Sequence, residues 1–367
     1  MAESTVSYKC PNCSAPLVFL PGHDKVSCEY CGNEFPIATI KELFAQEEAR
    51  AAEAEAEQAA KWETDTAGGE WADGETGSMQ SFTCSSCGAE IVADGNTMAT
   101  ECCYCGNPTM IPGRFAGMMK PDYVIPFKKN KQDAMNALKK FYEGKILLPA
   151  AFTANNRVES IQPMYVPFWL FDATASGSAT YKAEIVHTHE TDTERITKTE
   201  VYSVTRSGRM EFQRIPVDGS KKMDDAYMES VEPFDYSDLV PFESGYLTGY
   251  LADKYDDDAE TCAPRADERI TGSVSDTLRK TVTGYDRVFE QELHAVKENS
   301  TVSYALAPVW ILTTRYENKP YTFMMNGQSG KIVGSLPYDK TKAILYPLIV
   351  ALVSLPVLYI LAEIFIS

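Results

Sequence analysis

Two copies of one cysteine pattern constrain this chain more than any other feature. Cys10, Cys13, Cys28 and Cys31 read C-x2-C-x14-C-x2-C, and Cys84, Cys87, Cys102 and Cys105 repeat it 74 residues later. The likeness runs past the cysteines. Cys-Ser-Ala-Pro-Leu-Val from Cys13 answers Cys-Gly-Ala-Glu-Ile-Val from Cys87, and Tyr30-Cys31-Gly32-Asn33 answers Tyr104-Cys105-Gly106-Asn107. This is an internal duplication of a two-knuckle metal site. Each half offers four thiolates, the donor set that suits one tetrahedral Zn2+ and leaves no coordination position open. Two structural Zn2+ ions are therefore expected, one per quartet. Gly32, Gly88 and Gly106 follow the knuckles, where the chain must turn so that backbone N–H groups approach the sulfurs.

Other readings of the cysteines are weaker. The start, Met1-Ala2-Glu3-Ser4-Thr5, is polar and no apolar segment of signal type follows it. That places this region in a reducing compartment, where thiols bind metal and do not pair as disulfides. A redox C-x2-C would be a single pair beside a βαβ pattern. A catalytic zinc would keep one position open, which an all-thiolate quartet does not. Cys103 is a spare thiol or an alternative ligand one register away. Cys262 stands alone and reads as a small buried hydrophobe.

Charge narrows the partners. The chain carries a net charge of −18. Residues 1–114 hold 6 Lys or Arg and 18 Asp or Glu, 6 − 18 = −12. Nucleic-acid binding is driven by neutralising phosphates with Lys and Arg, and this region repels them. Protein partners or a spacer role fit better. At the far end, residues 343–362 (AILYPLIVALVSLPVLYILA) contain no charge. About 20 such residues span a bilayer core as a helix, so a C-terminal transmembrane helix is expected over 343–366. Lys331, Lys340 and Lys342 precede it and nothing basic follows. The positive-inside rule then puts the N-terminal domains in the cytoplasm and the C-terminus outside the cytoplasmic membrane.

Between these ends, residues 40–62 read as a charged helix built from good helix formers. Residues 64–78 are Gly, Asp and Thr rich and read as a flexible linker, with Trp71 expected to dock on the second ribbon. Pro121–Phe127 reads as an edge strand. Asn130 starts a helix with Asp133 at the capping-box position, and Met135, Leu138 and Tyr142 are its apolar stripe. Lys128, Lys129, Lys131, Lys139, Lys140 and Lys145 surround that helix. This one basic patch suggests contact with anionic lipid or an acidic partner, although an ordinary solvated helix face explains it slightly better. Residues 173–190 and 196–215 read as a β-hairpin. His187 and His189 share a strand face, but two imidazoles without a third ligand make a weak metal site. Gly327-Gln328-Ser329-Gly330-Lys331 has two residues between its glycines and Ile332 after the lysine. A phosphate loop needs four, and then Ser or Thr, so this is a turn.

The stretch from Cys84 to Phe171 resembles a bacterial family. The matching residues are C-S-S-C-G-A-E-I, C-C-Y-C-G-N-P-T, K-P-D-Y-V-I-P-F, the L-L-P before Ala150, and Q-P-M-Y-V-P-F-W-L-F-D at 162–172. Near the C-terminus A-P-V-W and M-N-G-Q-S-G-K-I-V-G add to it. The family is that of transcription factor IIB-type zinc-ribbon proteins, often labelled PriA-like helicases; the helicase label implies an ATP site this sequence lacks. One branch is a zinc-ribbon membrane protein of PspA/SPFH membrane-stress systems, which helps hold an SPFH-domain protein at the membrane. The resemblance implies a membrane-bound adaptor with SPFH-domain or PspA-like partners.

The sequence therefore predicts an α+β protein. Its parts are a zinc ribbon (1–39), an acidic helix and flexible linker (40–79), a second zinc ribbon (80–114), an antiparallel-sheet α+β domain (115–340) and a transmembrane helix (343–366). The expected function is a non-enzymatic membrane-anchored adaptor that recruits cytoplasmic proteins. The alternative is a nucleic-acid-binding zinc-ribbon protein in replication or transcription.

Overall fold

The computed structural model describes residues 9–11, 15–19, 24–43, 61–77, 79–95, 97, 99, 101–115, 117–155, 158–190, 194–222, 225–317 and 319–366. The chain divides into two compact units, Met1–Lys61 and Trp62–Ser367.

The first unit holds a three-stranded antiparallel sheet in the order β1-β2-β3, with β1 Val18–Phe19, β2 Lys25–Ser27 and β3 Glu34–Pro36. A helix, α1, begins at residue 37 and is described to 43. Among the described residues of this unit Ile40 of α1, Val26 of β2, Cys10 and Cys28 are buried. So small a core needs a metal or another staple to fold.

The second unit is built on an 11-stranded sheet. Its main path runs β10 (Val240–Pro241), β7 (Tyr123–Val124), β12 (Arg287–Tyr316), β8 (Val158–Glu190), β11 (Leu251–Asp253), β5 (Glu90–Asp94), β4 (Met79–Cys84) and β6 (Met110–Arg114). β9 (Arg195–Asp218) adds to β8, β13 (Lys319–Asn326) to β12, and β14 (Ile332–Gly334) to β13. Two joints, β11 with β8 and β12 with β7, are parallel. The sheet is thus mixed and the chain mostly β, which corrects the expected antiparallel α+β domain. Each parallel joint pairs only two residues, too short to leave a hydrophobic run that marks it in the sequence.

β8 explains the core. Met164, Val166, Phe168 and Leu170 point to one face, where Met228 and Val231 of α4 (Asp225–Val231) and Phe234 cover them. Tyr165, Trp169 and Phe171 point to the other, among Val217, Tyr304 and Leu306. A strand buried on both faces reads as continuous apolar sequence, as here. From residue 173 the strand becomes small and alternating. Ala173, Ala175, Ala179, Tyr181 and Ala183 lie under Ile270, Val274 and Leu278 of α5 (Ala259–Lys280). α2 (Lys131–Tyr142) carries the capping box at Asn130 and Asp133. It buries Ala134 and Leu138 against β12 and β13, while Met135 faces solvent, unlike the stripe expected. The short helix α3 (Ala150–Asn155) adds Phe152 to that cluster.

Residues 64–77 of the stretch expected as flexible linker (64–78) lie packed along the second unit, as does Trp62 before them, expected as the end of the charged helix. Trp62 donates to Asp267 at 3.0 Å and sits edge-on to Phe171. Trp71 donates to the Met118 carbonyl at 2.8 Å between Phe115 and Phe242. Asp122 Oδ2 accepts from Gly68 N and Tyr304 N, both at 2.8 Å. Two tryptophans in a polar stretch outweigh its glycines.

The C-terminal helix, α6, runs Lys340–Ile366. Among the described residues no helix is long and apolar enough to cross a membrane. The expected transmembrane helix is corrected to a C-terminal helix, and the single-pass placement, cytoplasmic inside and C-terminus outside, falls with it.

Candidate metal centre

The second quartet is assembled by two knuckles. At the end of β4, Cys84 N donates to Ala89 O at 2.9 Å and Gly88 N to Cys84 O at 3.0 Å. At the second knuckle Cys102 N donates to Asn107 O and Gly106 N to Cys102 O, both at 2.8 Å. Gly88 and Gly106 have φ of +73° and +68°, values that favour glycine. The first unit repeats the device: Cys28 N donates to Asn33 O and Gly32 N to Cys28 O, both at 2.9 Å, with Gly32 at φ +73°. The duplication read in sequence is a duplication of backbone shape.

These turns aim the sulfurs inward. Cys84, Cys87, Cys102 and Cys105 hold their Sγ atoms within 4.8 Å of one another. Cys84–Cys105 and Cys87–Cys102 are each 3.6 Å apart. A tetrahedral ion with metal–sulfur bonds of about 2.3 Å requires sulfurs about 3.8 Å apart, so the quartet fits a metal ion. Cys10, Cys28 and Cys31 cluster in the same way, with Cys10 and Cys31 at 3.6 Å. Cys13 lies outside the described residues. Both cysteine groups can hold a metal ion.

The electrostatics agree. Cys102 titrates far below an ordinary thiol, at about 4. The neighbouring Cys103 thiol is the main cause, and the N–H groups of Cys105 and Tyr104 add to it against burial. Cys87 is pushed up to about 12, by burial first and then by the other sulfurs. Four sulfurs this close do not all ionise without a cation among them, so binding a divalent ion releases protons. Cys103 is not a ligand in this arrangement. It is 2% exposed and its sulfur lies 3.9 Å from Met164 Sδ, in the core.

The other sequence candidates are more dispersed. Lys128 pairs with Asp238, and the Lys129 carbonyl accepts from Trp310 Nε1 at 2.9 Å. Lys131 opens α2, Lys139 and Lys140 close it, and Lys145 Nζ lies 5.6 Å from the Phe141 ring centre. Lys131 and Lys139 are about 12 Å apart along the helix, so these lysines do not converge. His187 and His189 are exposed, with Glu200 3.9 Å from His187. Cys262 is buried, as read. The 327–331 segment is the β13–β14 turn, its backbone held by Asn326 Oδ1. Sequence reasoning missed Asp253, buried beside Tyr104 of the second knuckle; it is one of four aspartates in residues 253–258, and nothing in that run marks which is buried.

Compared with known proteins, the chain is 33% identical over 338 residues to "Uncharacterized protein YdjG" of Bacillus subtilis (strain 168), covering 92% of each. The chain belongs to the YdjG family. No family model matches it, and no solved structure does either. Because the YdjG match covers 92% of each chain, the family relation embraces both units and is not confined to the cysteine-bearing segments.

Proposed function

We propose that this YdjG-family chain is a non-enzymatic zinc-ribbon adaptor that binds other proteins, with one structural Zn2+ in each cysteine quartet. The observation that carries this reading is the closed second quartet, whose four sulfurs lie within 4.8 Å of one another. An ion inside four thiolates has no position for water or substrate, which is the arrangement of structural zinc and not of catalytic zinc. Zinc suits it as a soft-tolerant ion with no geometric preference against a tetrahedron. The acidic residues 1–114, at 6 − 18 = −12, favour protein over nucleic acid as the partner. The resemblance to transcription factor IIB-type zinc-ribbon proteins of PspA/SPFH systems names the proteins to try first.

The test is association in solution. Full-length zinc-loaded chain is mixed with purified PspA-like and SPFH-domain proteins and examined by size exclusion and cross-linking. Filter binding to DNA and RNA at low salt runs in parallel. Co-elution with a protein partner and no nucleic-acid retention is expected. Tight retention of nucleic acid by the chain, with no protein complex, would reverse the reading in favour of the nucleic-acid alternative.

A further inference from the structure

Strand β11 is three residues long, yet it joins the cysteine-bearing hairpin to the rest of the sheet. It pairs antiparallel with β5, from Leu251↔Ala93 to Asp253↔Ile91, and parallel with β8 at Met164 and Tyr165. Its last residue, Asp253, is 1% exposed. Oδ2 accepts a 2.6 Å hydrogen bond from Ser220 Oγ. Oδ1 is shielded from solvent and has no hydrogen-bond partner among the described residues. Two phenols stand nearby: Tyr104 of the second knuckle and Tyr304 of β12, whose hydroxyl is also buried without a partner. Cys103 faces the same carboxyl. The charged groups at the rim are Lys222 and Asp256, paired with each other at 2.5 Å. Lys254, next in sequence, is engaged with Glu90 at 2.8 Å.

A buried carboxylate needs donors on both oxygens, and a neutral acid does not. We propose that Asp253 is a titrating latch: protonated, it holds β11 and the cysteine hairpin on the body; ionised, it loosens that seam. Tyr104 supplies part of the mechanism. Its hydroxyl donates to Met164 Sδ at 3.3 Å, and it has a single proton to give. A charged Asp253 draws that proton away from the core contact. Burial first, and the nearby Asp256 in addition, push the carboxyl from 3.8 up to about 7, against Ser220, Tyr104 and Lys222. The folded value lies above the opened one, so the closed seam holds the proton. Its stabilisation is full below about 3.8, falls as pH rises to about 7, and is flat beyond. Seam opening then rises about tenfold per pH unit through most of that window and levels off above about 7, about thirtyfold in all from pH 5.5 to the plateau.

Amide hydrogen exchange on the full-length zinc-loaded chain between pH 5.5 and 8.5, corrected for intrinsic rates, reads the seam in β5 and β11 against the β8–β12 ladder as reference. The wild type is expected to show the thirtyfold rise and then a plateau, in the seam alone. Asp253→Asn, permanently neutral, is expected to be flat. An equal rise in the variant, or an equal rise in the reference ladder, overturns the proposal. Ser220→Ala removes a donor that favours the charged form, so its plateau is expected at higher pH; an unmoved plateau also overturns it. That second variant keeps the test decisive if the asparagine protein does not fold.

Discussion

Gly177 is the point at which α5 comes closest to the long strands, and adding one methyl there tests the packing. A Cβ on Gly177 would fall 2.4 Å from Val274 Cγ1 and 3.5 Å from Leu278 Cδ1. Carbon atoms sit best at about 3.5–4.0 Å, so strand and helix must part by about 1 Å. Overpacking of this kind costs about 1–3 kcal/mol. Alanine recovers about 0.5–1 kcal/mol of glycine's conformational penalty in a strand. Gly177→Ala should thus be destabilised by about 1–2 kcal/mol, a fall of roughly 2–8 °C in Tm. Gly208, its register partner on β9, is the control. A Cβ there meets Leu278 Cδ2 at 3.8 Å, an ordinary contact, and Gly208→Ala should be at least as stable as wild type. Val274→Ala opens space for the new methyl. In a double-mutant cycle read by thermal and urea unfolding, Gly177→Ala and Val274→Ala should couple favourably by about 1 kcal/mol or more. Strict additivity, or a Gly177→Ala protein as stable as wild type, would refute this packing of α5.

The two quartets should respond differently to substitution. Cys28→Ser should unfold the first unit and leave the main melting transition within about 1 °C. Cys102→Ser should lower that transition, because β4, β5 and β6 belong to the large sheet; calorimetry with metal analysis separates the two, and zinc-coupled folding energies of about 10–16 kcal/mol make the losses large. Asn326 is fully buried and its side chain makes four hydrogen bonds, to Val231 O, Pro233 O, Gln328 N and Ser329 N. Asn326→Ala leaves those groups short of partners and should cost about 2–4 kcal/mol in urea unfolding, whereas a loss under about 0.5 kcal/mol would mean the turn holds itself.

Local chemistry was legible in the sequence and distant pairing was not. The C-x2-C spacing, the glycines after each knuckle and the Asn130–Asp133 capping box each write a backbone shape into a few adjacent residues. The hairpin of residues 173–190 and 196–215 follows from period-2 alternation, and it forms the paired outer lengths of β8 and β9. The long first half of β12, residues 287–301, was not read, because its charged residues hide a strand exposed to solvent on much of its length. The attachment of the second quartet through β5 and β11 joins residues about 160 positions apart, and no local pattern encodes that. This is why an independent ribbon was expected at 80–114 where the hairpin is an integral part of the large sheet. The uncharged run near the C-terminus shows the reverse error. Composition alone suggested a span that is not found among the described residues.

Metal content of the purified full-length chain tests the central claim most directly. Two zinc ions per chain are expected by elemental analysis, falling to one in Cys28→Ser and to one in Cys102→Ser, with the remaining ion resistant to dilution. One zinc in the wild type, or loss of both ions after a single substitution, would contradict the account: the quartets would then be wrongly assigned or share their ligands.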